Sequence, residues 1–113
     1  MKKIFIAAFM IVSSFGTNVM ADGHAIKMGI ILGFTGPIES LTPAMAASAE
    51  LAFKEASDSG SLLGGKKIEV VRADSTCVDS AAATAAAEGV ISQGVAAIMG
   101  ADCSGVTLSL IHI

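Results

Sequence analysis

Apolar positions along this chain follow two rhythms, separated by polar turns. Ile26 to Leu32, I-K-M-G-I-I-L, is a nearly continuous apolar run, the pattern of a strand covered on both faces. Gly33-Phe34-Thr35-Gly36-Pro37 closes it with turn residues. From Thr42-Pro43 the rhythm changes. The Thr hydroxyl can cap free backbone N–H groups and Pro suits the first helical position, so a helix is predicted over Ala44 to Ser57. Its Met45, Ala49, Ala52, Phe53 and Ala56 form one apolar stripe at helical spacing. Asp58-Ser59-Gly60 stops it.

Lys67 to Ala73 is predicted as a second strand, with the β-branched pair Val70-Val71 at its centre. Asp79 can cap a second helix running to about Ser92 and complements its dipole. That helix is alanine on nearly all sides, which favours helix and allows close packing on a sheet. Gly94 ends it. Val95 to Met99 reads as a third strand, followed by a loop, Gly100-Ala101-Asp102-Cys103-Ser104-Gly105. The order β-α-β-α-β predicts an α/β fold, a Rossmann-like parallel sheet with right-handed crossovers. The alanine-rich run 81–87 is a helix face, and there is no internal repeat.

The N-terminus departs from this pattern. Met1-Lys2-Lys3 is basic, Ile4 to Phe15 is apolar apart from two serines, and Val19-Met20-Ala21 offers small residues before a cut. This is the three-part pattern of a secretory signal peptide, 1–21, and the run is shorter than the roughly 20 apolar residues a bilayer span needs. Asp22 rather than Cys follows the predicted cut, so the lipoprotein pattern is missing. Export by a cleavable leader is therefore expected.

Composition changes the picture once the leader is set aside. Of 113 residues 53% are hydrophobic and only 15% charged, too apolar for a disordered tail. The 92 residues after Ala21 carry five basic and ten acidic side chains, a net charge of −5. That charge argues against nucleic acid or an anionic membrane surface as partner.

Open α/β sheets bind ligands beyond the carboxyl ends of their strands. The loops there are 33–42, 74–79 and 100–107, and they carry Gly, Ser and Thr groups able to hold a small polar ligand. The glycines form neither a dinucleotide fingerprint nor a phosphate loop. Ser104 sits in D-C-S-G rather than G-x-S-x-G. The only histidines are His24 and His112, so a nucleophile would lack its base and a metal its usual ligands. No enzyme activity, cofactor or metal is expected.

Cys77 and Cys103 are the only cysteines, and both fall in loops at the same edge of the predicted sheet. In an oxidising compartment a disulfide is the natural reading, with two free buried thiols as the alternative. Such a bridge stabilises by roughly 3–4 kcal/mol in the chain-entropy model.

These residues resemble a known family. G-F-T-G-P at 33–37, A-E-L-A-F-K-E-A at 49–56, G-K-K-I-E-V-V at 65–71, D-S-T-C-V-D at 74–79 and I-M-G-A-D-C-S-G-V-T at 98–107 are similar, in order and spacing, to leucine-binding-type periplasmic solute-binding proteins of branched-chain amino-acid ABC transporters. The resemblance implies a two-lobed fold closing on an amino acid, of which residues 22–107 are part of the N-terminal lobe. It implies that Cys77–Cys103 matches the family disulfide and that Ser104 hydrogen-bonds the ligand. Thr107 is a second candidate from the same loop. Leu41 falls where family members place an aromatic against the ligand side chain, a departure that leaves ligand size open. Local backbone capping is the alternative role for Ser104.

The resemblance further implies an inner-membrane ABC permease as partner and a monomer when full-length. The same fold also serves as the extracellular ligand domain of signalling receptors, which is the rival reading. Family members are several times longer. Leu108 to Ile113 matches the translation of a transposon-end adapter used in sequencing libraries, so native sequence is expected to end near Thr107, with 108–113 a non-native tail. The family's acidic partner for the ligand ammonium is then expected outside this chain, and the chain alone is expected to bind amino acids weakly or not at all.

Overall fold

A computed structural model describes residues 25–113. The proposed leader lies outside the described residues. Three strands and three helices alternate: β1 (Ile26–Leu32), α1 (Thr42–Asp58), β2 (Ile68–Asp74), α2 (Ser80–Ser92), β3 (Ala97–Gly100) and α3 (Ser104–Leu110), with a short 3-10 turn at Leu62–Gly64. The strands form a parallel sheet in the order β2-β1-β3. Ile26 pairs with Ile68 and Leu32 with Asp74, while Met28 pairs with Ala97 and Ile31 with Gly100.

The unbroken apolar run of β1 is explained by its central place. Ile30 and Leu32 point to one face, where they pack with Ala46 of α1 and with Phe34, Phe53, Val70 and Met99. Ile31 points to the other face, onto Ala87 and Val90 of α2, with Val71, Ile98 and Leu110 around them. The period of two in a strand produces this division. The alanines of α2 let it lie close to the sheet. At Gly29 an added Cβ would stand 2.6 Å from Val90 Cγ1 and 3.0 Å from Ile98 Cγ1.

Asp79 caps α2 as predicted, accepting hydrogen bonds from Ala81 N and Ala82 N. The start of α1 differs from expectation. Thr42 is already helical, Leu41 is the N-cap residue, and no side chain caps the helix. The buried Thr42 hydroxyl instead donates to the Gly33 carbonyl at 2.9 Å. This tether fixes the rotation of α1, so the inward stripe runs Thr42, Ala46, Ala49, Phe53 and Ala56, while Met45 and Ala52 are exposed.

The third strand also shifts. It begins at Ala97, because parallel pairing with β1 starts there, and Val95 packs into the α2-side core from the preceding turn. The loop expected through Thr107 ends at Cys103, where α3 begins. Val106 is buried and Leu110 joins the α2-side core, so apolar burial draws this segment into a helix.

Candidate functional site

The carboxyl ends of the three strands bring three loops to one edge of the sheet. Each is held by a different device. The loop after β1 opens at Gly33, whose C=O is taken by Thr42. Its N–H donates to Asp102 Oδ2 at 2.8 Å. Gly33 is tightly enclosed: an added Cβ would stand 3.1 Å from Cys77 Cβ and 3.3 Å from Ile38 Cγ1. At Gly36 the backbone has φ +92°, and an added Cβ would come within 2.5 Å of the Thr76 carbonyl oxygen. Only glycine combines that backbone with so close an approach.

The loop after β2 is organised by Asp74. Its carboxylate accepts from Thr35 Oγ1 at 2.6 Å, from Thr76 N at 2.8 Å and from Thr35 N at 3.3 Å. Burial pushes the Asp74 carboxyl up, but the hydrogen bonds from Thr35 and Thr76 outweigh it and hold the group below the ordinary carboxylate range. Thr76 and Cys77 both adopt left-handed backbone, with φ 58° and 69°. Next to this loop, Arg72 makes a two-armed ion pair with Glu50 at 2.6 and 2.8 Å. Its guanidinium lies 5.6 Å from the Phe34 ring centroid. Hydrogen bonding to Arg72 lowers the Glu50 carboxyl against the opposing effect of burial.

The loop after β3 carries Asp102 and Cys103. Cys103 is joined to Cys77, with 5.3 Å between their Cα atoms, so the two sulfurs expected in neighbouring loops are bonded. Asp102 Oδ1 also accepts from the fully buried Ser75 hydroxyl, at 3.5 Å. One carboxylate therefore touches the loops after β1 and β2 from the loop after β3.

Ser104 is the first residue of α3 and is exposed. Its hydroxyl takes part in none of the hydrogen bonds among the described residues, and the N-cap residue of α3 is Cys103, whose side chain makes no capping hydrogen bond. Thr107 is half-buried, and its hydroxyl is directed at Cys103 O (2.9 Å) and Ala101 O (3.3 Å). Its single proton is engaged within the loop. Leu41 projects outward at the start of α1, 60% exposed. Asp74, Asp102, Ser75 and Thr35 were not singled out from the sequence. The available signal was an acidic residue at or just past a strand end, beside Gly and Thr N–H groups needing acceptors.

An apolar cavity of about 210 Å³ lies elsewhere, beside β3. Ile31, Ala87, Ile91, Ile98, Leu110 and Ile113 line it around Gly100. It offers no polar side chain to either charged end of an amino acid. Among the described residues no cluster of His, Cys, Asp and Glu is arranged to hold a metal ion. No helix there is long and apolar enough to cross a membrane.

A sequence model of periplasmic binding proteins matches residues 25–113. The chain belongs to the periplasmic binding protein family. Membership implies a location in the periplasm or outside the cell. Among solved structures the chain is similar to the branched-chain amino acid transporter substrate-binding protein LivJ of Streptococcus pneumoniae, determined in complex with isoleucine, at 29% identity and a TM-score of 0.68. The match covers 78% of this chain and 25% of that one, so the chain spans about a quarter of the relative's length. No curated protein matches. The partial leucine-binding-type lobe expected from the motifs agrees with this match and with the parallel β2-β1-β3 sheet.

Proposed function

We propose that this chain is the part of a periplasmic receptor that captures the carboxylate end of a branched-chain amino acid or similar small solute, for delivery to an inner-membrane ABC permease. Export by the 1–21 leader belongs to this reading, as does the absence of enzyme activity. The observation that carries it is Ser104. Its hydroxyl is exposed and uncommitted, at the sheet edge where open α/β folds bind ligands. The disulfide and the Asp102 carboxylate fix the loop immediately before it. A donor held ready by its scaffold binds without the cost of ordering it. Thr107 supports the same loop from inside. Leu41 offers apolar surface to the ligand side chain, a smaller one than an aromatic.

The ligand ammonium needs an acidic partner. Asp74 and Asp102 already have their carboxylates engaged by Thr35, Thr76, Gly33 and Ser75. That partner is therefore proposed to lie in the part of the fold beyond the quarter that this chain spans, which makes the affinity of this chain alone weak. Titration of the chain with isoleucine, leucine and valine, followed by the amide resonances of 103–107, tests the reading. Ser104→Ala should weaken the response about tenfold, as for loss of a hydrogen bond to a charged group. An unchanged response in Ser104→Ala would remove Ser104 from the site. Micromolar affinity in calorimetry would show that the chain needs no further acidic partner.

A further inference from the structure

The disulfide between Cys77 and Cys103 fixes a distance between two loops but leaves their relative direction free. Each half-cystine has side-chain torsions of its own, and a single tether allows rotation about it. Thr107 holds this loop from within and Val106 anchors the helix that follows, so what remains is a second attachment across to the neighbouring loops. Asp102 is placed to supply it. Gly33 is buried and lies one residue past the end of β1, where the ladder no longer provides an acceptor for its N–H. Asp102 Oδ2 accepts that hydrogen at 2.8 Å. Oδ1 faces the fully buried Ser75 hydroxyl. Hydrogen bonds to an ionised carboxylate are about twice as strong as neutral ones, and a buried N–H without a partner is costly.

The junction is compact. Gly33 is in contact with Cys77, and a Cβ on it would press on Cys77 Cβ at 3.1 Å and on Cys77 N at 3.3 Å. Gly33, Cys77 and Asp102 thus meet at one point, and Ser104 follows two residues later. Both Asp102 oxygens face the protein.

We propose that Asp102 is the positioning residue of this binding edge: its carboxylate, shared by the Gly33 N–H and the Ser75 hydroxyl, fixes where the Ser104 loop stands relative to the loops after β1 and β2. The proposal deepens the amino-acid reading and rests on it for its consequence in binding. Asparagine can replace the carboxylate here. Its amide oxygen accepts from Gly33 N–H and its NH₂ donates to the Ser75 oxygen. Alanine can do neither.

The test uses the full chain, isotopically labelled, as wild type, Asp102→Ala and Asp102→Asn. Two readouts are taken: amide hydrogen exchange at Gly33, Ile30 and Ile31, and the isoleucine-dependent shifts of residues 103–107. In Asp102→Ala, exchange at Gly33 should accelerate by about a hundredfold while Ile30 and Ile31 keep their protection, because only the local opening is affected. The isoleucine affinity should fall about tenfold. Asp102→Asn should restore both to within about threefold, a rescue that general destabilisation does not produce. Unchanged Gly33 exchange in Asp102→Ala overturns the positioning role, whatever happens to binding. Unchanged isoleucine affinity in Asp102→Ala, where the wild type binds, overturns it equally. A wild type that shows the Gly33 pattern but binds no isoleucine refutes the amino-acid reading alone and leaves the positioning role supported. If Asp102→Ala fails to fold, the unaltered chain decides through the hydrogen-bond scalar coupling between Gly33 nitrogen and the Asp102 carboxyl carbon. Its presence supports the proposal, and its absence with a freely exchanging Gly33 amide overturns it.

Discussion

Replacing Cys77 and Cys103 together by serine removes the covalent tie between two of the three loops at the sheet edge. The bridge spans 26 positions of sequence. In the chain-entropy model a closed loop of that size restricts the unfolded state by about 12 cal/mol/K, or about 3.5 kcal/mol near room temperature. Small domains have only about 5–15 kcal/mol of stability in total, so the loss is a large fraction. A chain of this size unfolds in urea with a slope near 1 kcal/mol/M, and the midpoint of the double variant should drop by about 3.5 M. Reduction of the wild type should reproduce the same loss, which separates the missing cross-link from the introduced serines. Thiol titration of the oxidised protein without reductant should find no reactive sulfhydryl. Urea midpoints within about 0.5 M of each other would mean that the bridge closes no loop that the unfolded chain is free to open.

Further outcomes follow from single contacts. Thr42→Val keeps the shape of the side chain but leaves the Gly33 carbonyl without its 2.9 Å donor. It should cost about 1–3 kcal/mol in denaturant unfolding, with Thr42→Ser recovering most of it. Gly29→Ala should destabilise by about 1–3 kcal/mol through overpacking against Val90. Combining it with Val90→Ala should recover part of that loss, a coupling visible in a double-mutant cycle. Asp74 is held below its ordinary value of 3.8 in the folded chain. Its contribution is therefore present above the unfolded-state value and is lost as pH falls through the lower folded-state value. Acid-unfolding curves of Asp74→Asn should be flatter than wild type in that window; identical acid limbs would contradict the hydrogen-bond network at Thr35 and Thr76.

The parts of the fold set by burial alone were legible in the sequence. β1 is buried on both faces, so its apolar run is unbroken and its bounds, Ile26 and Leu32, could be read directly. The cap at Asp79 was legible because the interaction is local, between a side chain and N–H groups two and three residues on. Part of the α1 face was misread, Met45 and Ala52 being exposed, for the opposite reason. Alanine gives little indication of which way it points, and the rotation is fixed by Thr42 reaching a carbonyl nine residues away. The start of α3 was hidden because its helical character comes from Val106 and Leu110 packing on α2 and the sheet, not from a capping signal. The cysteine pair was visible as two residues in adjacent loops. Asp102 was not, since its partners Gly33 and Ser75 lie 69 and 27 residues away. Nothing short of the β2-β1-β3 order places them side by side.

In the proposed function the edge formed by Gly33–Thr35 and Cys103–Thr107, not the apolar cavity beside β3, receives an amino acid. Amide chemical-shift mapping of the chain during titration with isoleucine into the tens of millimolar range, matched to the weak binding expected of an incomplete site, tests it most directly. Saturating shifts are expected, centred on Ser104 and its neighbours, with smaller ones at Gly33 to Thr35. Shifts centred instead on Ile91, Ile98 and Leu110, or no shift at the Ser104 loop at any concentration, would contradict that function.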